Sequence, residues 1–327
     1  MSITVAKFGG SSLKDNECLF KAAAAIKNEV DHNKKVVVVV SARGKTTDFL
    51  IKSAKEICPS YSIPPRELDS LLATGEQMSA AMFALALREL SVNAVSLTGE
   101  KAGILTNSNS GSAEILNIDT TRITDLLNQG FVVVVAGFQG ADKKGKITTL
   151  GRGGSYTTAA ALAVKLSADE CLIYTDVNGI YTADPRVIEK AKKYDSVSFD
   201  IMVEFAGLGA RVLSHDSTKI AAENKLNLFV LSPLGRDSKT KLSEQTLPRY
   251  SDIVGVTLKT ANSRSVISAV CAESGKAEYY ANRAIHALSD NGIVCMDSEI
   301  KNLSFSITVA EVVSKNALKI LHNLFFE

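Results

Sequence analysis

Apolar positions along the chain follow two rhythms. Short runs rich in β-branched residues recur at Ile3–Phe8, Lys35–Ser41, Asn93–Thr98, Phe131–Gly137, Glu170–Thr175 and Asn227–Leu231. Longer amphipathic stretches lie between them, at Asn16–His32, Pro64–Leu90, Thr120–Gln129, Ser155–Leu166 and Asp216–Lys225. The first kind predicts strands and the second helices. Val36 to Val40 is an unbroken valine run with no polar alternation. Such a strand suits a sheet covered on both faces, as in parallel sheets with helices above and below. Strand alternating with helix predicts an α/β domain that continues to about Pro233.

After Pro233 the rhythm changes. Gly235 to Asp252 is polar, lacks apolar periodicity and reads as a connector. Beyond it, strands are predicted at Ile253–Lys259, Val266–Ala272, Gly292–Asp297 and Leu303–Val309, and helices at Ala277–Asn291 and Ser314–Phe325. The expected organisation is a first domain over 1–235, a linker over 236–252 and a compact α+β unit over 253–327.

Composition narrows the function classes. Hydrophobic residues are 46% and charged residues 22%, which excludes a disordered or collagen-like chain. A net charge of +2 leaves no excess of Lys or Arg to neutralise nucleic-acid phosphates. Cys18, Cys58, Cys171, Cys271 and Cys295 form no CxxC or Cys/His cluster, so free thiols in a reducing cytoplasm are expected and no protein metal site is assigned. The N-terminus has no signal-peptide pattern, and no apolar run approaches the ~20 residues of a membrane span.

Five segments carry candidate chemistry. Lys7-Phe8-Gly9-Gly10-Ser11-Ser12 closes the first strand. Its glycines let backbone approach an anion, and Lys7 can place a positive charge on a phosphate. Leu150-Gly151-Arg152-Gly153-Gly154-Ser155 is a second glycine-rich loop that opens a helix, and Arg152 offers a planar fork for a carboxylate or phosphate. Thr175 to Arg186 (TDVNGIYTADPR) follows a strand, where α/β sheets collect ligands; it is equally a turn set by Asn178-Gly179 and Asp184-Pro185. Leu72 to Gln77 places Glu76 near a helix start, able to hold an ammonium or to stabilise the helix dipole. Ser41 to Asp48 is a polar loop whose hydroxyls can grip a small polar ligand or cap the next helix.

Taken together, KFGGSS, SARGKTTD, LLATGEQ, VAGFQG (135–140), TLGRGGS, TDVNGIYTADPR and FAGLGARVLS (205–214) occur in the order seen in aspartokinases. The chain therefore resembles that family over residues 3–232, and the trailing unit resembles one ACT domain. The resemblance implies the amino acid kinase fold, a mainly parallel sheet between helix layers, plus a small α+β ACT-like domain. It implies transfer of the ATP γ-phosphoryl group to the β-carboxylate of L-aspartate, the entry to lysine, threonine and methionine synthesis, with Mg²⁺ bridging the ATP phosphates. By motif, Lys7, Phe8, Gly9 and Gly10 look like the phosphate cradle. Thr175, Asp176, Tyr181, Asp184 and Arg186 look like nucleotide contacts. Ser41, Thr47, Glu76, Arg122, Ile123, Arg152 and Ser155 look like the aspartate site. Lys7, Tyr156 and Arg211 fall at catalytic positions, Arg211 also at the ATP. A homodimer paired through the ACT-like units is expected.

The chain also departs from the family pattern. GRGGSD is GRGGSY here, so Tyr156 stands where an Asp that orients catalytic lysines is expected. A phenol has a pKa of about 10 and is neutral, so it cannot counter a lysine charge. Arg211 stands where some members carry Lys, and there is room for one ACT unit where two are usual. A kinase of another small amino acid and a catalytically weak regulatory paralogue stay open as alternatives.

Overall fold

The computed structural model describes residues 2–59, 62–208, 213–233, 238–261 and 263–327. In chain order the first elements are β1 (Ile3–Phe8), α1 (Asn16–Asp31), β2 (Lys35–Val40), α2 (Thr46–Ile57), α3 (Pro65–Glu89), β3 (Ala94–Leu97), β4 (Ile104–Thr106), β5 (Ile115–Ile118) and α4 (Thr121–Asn128). Then come β6 (Val132–Ala136), β7 (Gln139–Ala141), β8 (Ile147–Thr149), α5 (Gly154–Lys165), β9 (Glu170–Tyr174), β10 (Ser196–Ser198), α6 (Phe199–Gly207), α7 (His215–Glu223) and β11 (Leu228–Leu231). The last are β12 (Thr240–Ser243), β13 (Ile253–Ala261), β14 (Arg264–Cys271), α8 (Ala277–Asp290), β15 (Asp297–Ile300), β16 (Ser304–Ala310) and α9 (Ser314–Phe326). They group into two compact units, neither a single run of chain: Met1–Asn178 with Asp216–Lys239, and Gly179–His215 with Thr240–Glu327.

In the first unit, β11, β9, β1, β2, β6 and β3 lie side by side in that order, all parallel. The valine run of β2 is buried on both faces. Phe8, Val36, Val38 and Val40 join the core that α1 and α3 build with Leu19, Ile26, Phe83 and Leu87. The alternate residues face the other way, where α5 packs across β1, β2 and β9. Strand alternation therefore sends Phe8 to one helix layer and Lys7 to the other. A second, small sheet orders β5, β4, β7 and β8. Its strands are three or four residues long, too short to leave a two-residue rhythm in the sequence.

The second unit holds an antiparallel sheet ordered β13, β14, β16, β15. Its core joins Ile267, Ala269, Phe305 and Ile307 to Ala281, Ala284, Leu318 and Leu321 of α8 and α9. β10 pairs in parallel with β12.

Three expectations change. The strand expected over Gly292–Asp297 is observed at Asp297–Ile300. Gly292 ends α8 at φ +71° and Ile293 turns into the core at the helix end, while the strand Asp297–Ile300 is exposed throughout, Ile300 included. The polar loop over Ser41–Asp48 becomes α2 from Thr46; Ala54 is its one buried residue, so the helix left little apolar pattern. Within the polar connector, Thr240–Ser243 forms β12, held by Leu242, 1% exposed, and by fully buried Thr240.

Candidate active site

The parallel sheet brings the chemistry to one edge. Phe8 lies opposite Val40 and Tyr174, Val40 opposite Ala136, and Leu231 opposite Tyr174. The segments beginning at Gly9, Ser41, Gly137 and Thr175 therefore leave the sheet on the same side. Open α/β sheets bind ligands beyond the carboxyl ends of their strands.

Lys7 is 1% exposed on the α5 face. Its Nζ lies 3.3 Å from the centroid of the Tyr156 ring, in the first turn of α5. The ring quadrupole attracts the ammonium, but the phenol supplies no counter-charge. Burial pushes the Tyr156 hydroxyl up to about 12, and the charge of Asp176 adds to this. Burial drives Lys7 down to about 7, against the pull of Glu76. Phe8 stacks on Tyr174 with centroids 4.4 Å apart, which fixes the strand end that presents Lys7.

The glycines here answer to close approach. A side chain at Gly10 would come within 2.5 Å of the Ala42 carbonyl oxygen, and one at Gly9 within 3.3 Å of Lys7 Nζ. Gly10 also accepts a hydrogen bond from Gly44 N–H at 2.9 Å, tying the first two loops together. Ser12 Oγ is buried without a partner among the described residues.

Glu76 sits well inside α3, not at its N-terminus, so helix capping and the dipole do not explain it. Gly75 lets the helix approach the second loop, where a side chain would stand 2.9 Å from Ala42 Cβ. Glu76 is 4% exposed; its Oε1 accepts Ala42 N–H at 2.8 Å, and its Oε2 is buried with no partner among the described residues. Burial raises its carboxyl to about 7, although Ala42 N–H and Lys7 both oppose this.

In the second glycine-rich loop Gly151 and Gly153 have positive φ, +72° and +81°. That left-handed backbone favours glycine. Arg152 is exposed between them. Ser155 is buried against Gly137, where a side chain would meet Ser155 Cβ at 2.8 Å. Ser41 is part-buried and donates its N–H to Phe8 O at 3.0 Å; Thr47 is part-buried in the first turn of α2. Thr175 is buried and donates to Asp176 Oδ1 at 3.0 Å.

The remaining predicted residues sit on other elements. Ile123 is fully buried in α4, so its side chain is core. Arg122 lines a surface cavity of about 450 Å³ with Glu100, Lys101, Asp119 and Asp125, which includes none of the other predicted residues. Tyr181, Asp184 and Arg186 belong to the second unit. There Arg186 bridges to Asp184 at 2.7 Å and holds its carboxyl below the usual range. Arg211 lies outside the described residues. The sequence reading missed Asp69, buried on α3 two turns before Glu76; that helical spacing was its available signal.

Residues 2–232 match the model of the amino acid kinase family. The aspartokinase of Bacillus sp. (strain MGA3) is 43% identical over 311 residues, 94% of this chain and 75% of that protein. The chain belongs to the aspartokinases of the amino acid kinase family. The crystal structure of the Synechocystis aspartate kinase matches 99% of the chain at 34% identity and a TM-score of 0.65, and the chain spans 55% of it. That of E. coli aspartokinase III in complex with aspartate and ADP matches 99% at 25% identity and a TM-score of 0.68; here the chain spans 84%. Among the described residues no helix is long and apolar enough to cross a membrane.

Proposed function

We propose that the chain transfers the γ-phosphoryl group of ATP to the β-carboxylate of L-aspartate, giving 4-phospho-L-aspartate. The observation that carries this reading is Glu76, a buried carboxylate with one oxygen bonded to Ala42 N–H and the other without a partner. A buried acceptor left unpaired costs ~1–3 kcal/mol. A substrate ammonium supplies both the missing donor and a counter-charge. Arg152 offers its fork to a carboxylate. Aspartate brings an ammonium, a carboxylate to hold and a second carboxylate to react.

Phosphoryl transfer asks the protein for position and charge more than for covalent chemistry. Lys7 meets that need at the end of β1, where Gly9 and Gly10 keep side chains away from the turn. The ATP roles assigned by resemblance to Thr175, Asp176, Tyr181, Asp184, Arg186 and Arg211 are part of the proposal. So are the aspartate roles of Ser41, Thr47, Arg122 and Ser155. Mg²⁺ would arrive with the nucleotide and neutralise phosphate charge. Among the described residues no cluster of three His, Cys, Asp or Glu is placed to hold a metal, and no protein ligand is assigned.

A catalytic role for 1–235 and a sensing and pairing role for 253–327 extend the same reading. The edge strand β15 is exposed at every residue, which suits pairing of two copies. The five cysteines are free, which suits a reducing cytoplasm.

The test is ATP turnover with a panel of amino acids and hydroxylamine trapping of the acyl phosphate. Trapped product with aspartate alone is expected. ATP binding without phosphorylation of any acid, or turnover of a different acid, overturns the reading.

A further inference from the structure

The face of α3 that carries Glu76 also carries Asp69, seven residues earlier and 1% exposed. Seven residues are two helical turns, about 10 Å along the axis. Asp69 makes no ion pair among the described residues. Its Oδ1 accepts the Thr149 hydroxyl at 2.6 Å, and its two oxygens accept Gly111 N–H at 3.0 and 3.1 Å. These partners belong to two different loops. Thr149 ends β8, three residues before Arg152. Gly111 lies in the β4–β5 connection, and its carbonyl oxygen is 3.1 Å from where a side chain of Gly151 would begin. Ala113 N–H donates to Thr149 O at 2.9 Å and joins the two loops directly.

At Ala73 and Gln77 the same helix holds a third segment. Ala73 O accepts from Gln139 Nε2 at 2.9 Å, and Gln77 Nε2 donates to Gln139 Oε1 at 3.0 Å. One rigid helix thus fixes the Arg152 loop at one point and the Ala42 loop, through Glu76, at another.

We propose that Asp69 is a positioning residue for the amino-acid substrate. It anchors the 107–113 loop and the Thr149–Arg152 loop to α3, and so sets the separation between the ammonium-binding Glu76 and the carboxylate-binding Arg152. That separation matches the ammonium and the carboxylate that an α-amino acid carries on one carbon. Asp69 touches no substrate and acts through Arg152. The proposal rests on the functional reading above for the identity of the ligand, but the anchor itself does not.

Asp69→Asn keeps the shape and removes the charge and one acceptor; Thr149→Val removes one hydrogen bond. Hydrogen bonds to a charged group are strong enough that Asp69→Asn should raise the KM for aspartate about tenfold or more, and Thr149→Val about threefold. The KM for ATP should stay within about twofold, because a local acceptor-side defect removes binding of one substrate only. An unchanged aspartate KM, or equal rises for both substrates, overturns the proposal. Amide hydrogen exchange without substrate reads the anchor separately. Faster exchange in 107–113 and 149–153 of Asp69→Asn, with β1 and β2 unchanged, supports it, and unaltered exchange there overturns it. If the wild type turns over no aspartate while these loops do loosen, the functional reading fails and the anchor stands.

Discussion

The two edges of the parallel sheet in the first unit hold the same kinds of charge with opposite outcomes. At the amino edge, Lys34 Nζ lies 3.2 Å from Glu29, which is fully buried, and 2.5 Å from Glu170; Lys239 reaches Glu170 at 3.4 Å. Burial pulls the Lys34 pKa down, but the hydrogen bond to Glu170 and the charge of Glu29 outweigh it and leave it raised. Burial likewise pushes Glu170 up, and the bond and charge of Lys34 leave it lowered. At the carboxyl edge, Lys7 and Glu76 feel each other's charge without forming an ion pair, and burial wins for both. An oppositely charged partner within hydrogen-bond reach decides the sign; the neutral Ala42 N–H on Glu76 does not. The amino edge is complete and serves the fold. The carboxyl edge leaves Glu76 Oε2 without a partner among the described residues, the place the proposal gives to a substrate ammonium.

The largest test of this contrast is Lys7→Ala. It should lower kcat by about 10³-fold, the scale of losing a preorganised group at the reacting centre. The melting temperature should hold or rise, because the variant no longer buries an ammonium. Near wild-type turnover would falsify the role of Lys7.

Tyr156→Asp comes next. It would give Lys7 the close partner that the amino-edge lysine already has. It should raise kcat about tenfold and move the alkaline limb of the pH–rate profile upward. A fall in kcat would mean instead that the site has adapted around the ring.

The third prediction is a pH signature. In the free enzyme kcat/KM should fall below about 7 as Glu76 takes up a proton, and above about 7 as Lys7 loses one. Stability follows the linkage rule. Glu76 is raised from 4.5 to about 7, so the folded state holds the extra proton between those values and stability falls as pH rises through that window. Lys7 is lowered from 10.5 to about 7, so the unfolded state holds the extra proton and stability rises as pH climbs from about 7 to 10.5. Melting curves should therefore show the advantage of Glu76→Gln over the wild type growing from pH 4.5 to about 7. The advantage of Lys7→Met should shrink from about 7 towards 10.5. The amino edge has the opposite sign. The stability from Glu170 is present above the carboxyl pKa of 4.5 and lost as pH falls below it, and that from Lys34 is lost as pH rises beyond 10.5.

The smallest effect belongs to Glu170→Gln. Its ion pairs are partly open to water, so solvent screening limits the loss to about 1 kcal/mol or less. That loss should vanish in acid, and turnover should not change. A loss of turnover would show that the amino edge is not purely structural.

The strands of the large sheet were legible because each is short, apolar and bounded by turn residues. Ile3–Phe8 is observed as predicted, and the other five agree to within one residue at either end. The glycine turns were legible because a missing side chain is visible in sequence. The small sheet and α2 were not, since neither buries enough apolar surface to mark its period. Lys7, Glu76 and Arg152 were singled out by their motifs, and the structure adds that Lys7 and Glu76 are buried and Arg152 is exposed. The side chain of Ile123 lies in the core and Arg122 lines a surface cavity, placements that depend on how α4 packs. Asp69 was passed over because a lone Asp in a helix says nothing of the loops it will meet.

By itself the sequence determined the α/β alternation, the placing of glycine and charge just beyond strand ends, and the family. All of these are carried by residue types at short spacing. Only the tertiary structure decided that the Tyr156 ring lies face-on against Lys7 Nζ, that Glu76 keeps one oxygen unpaired among the described residues, and that Asp69 ties two loops to one helix. It also decided that Gly179–His215 packs with the C-terminal residues. The physical reason is distance along the chain. Ala42 and Glu76 are 34 residues apart and Asp69 and Thr149 are 80 apart, so their bonds, and the burial that shifts Lys7 and Glu76 towards neutrality, exist only once the chain has folded.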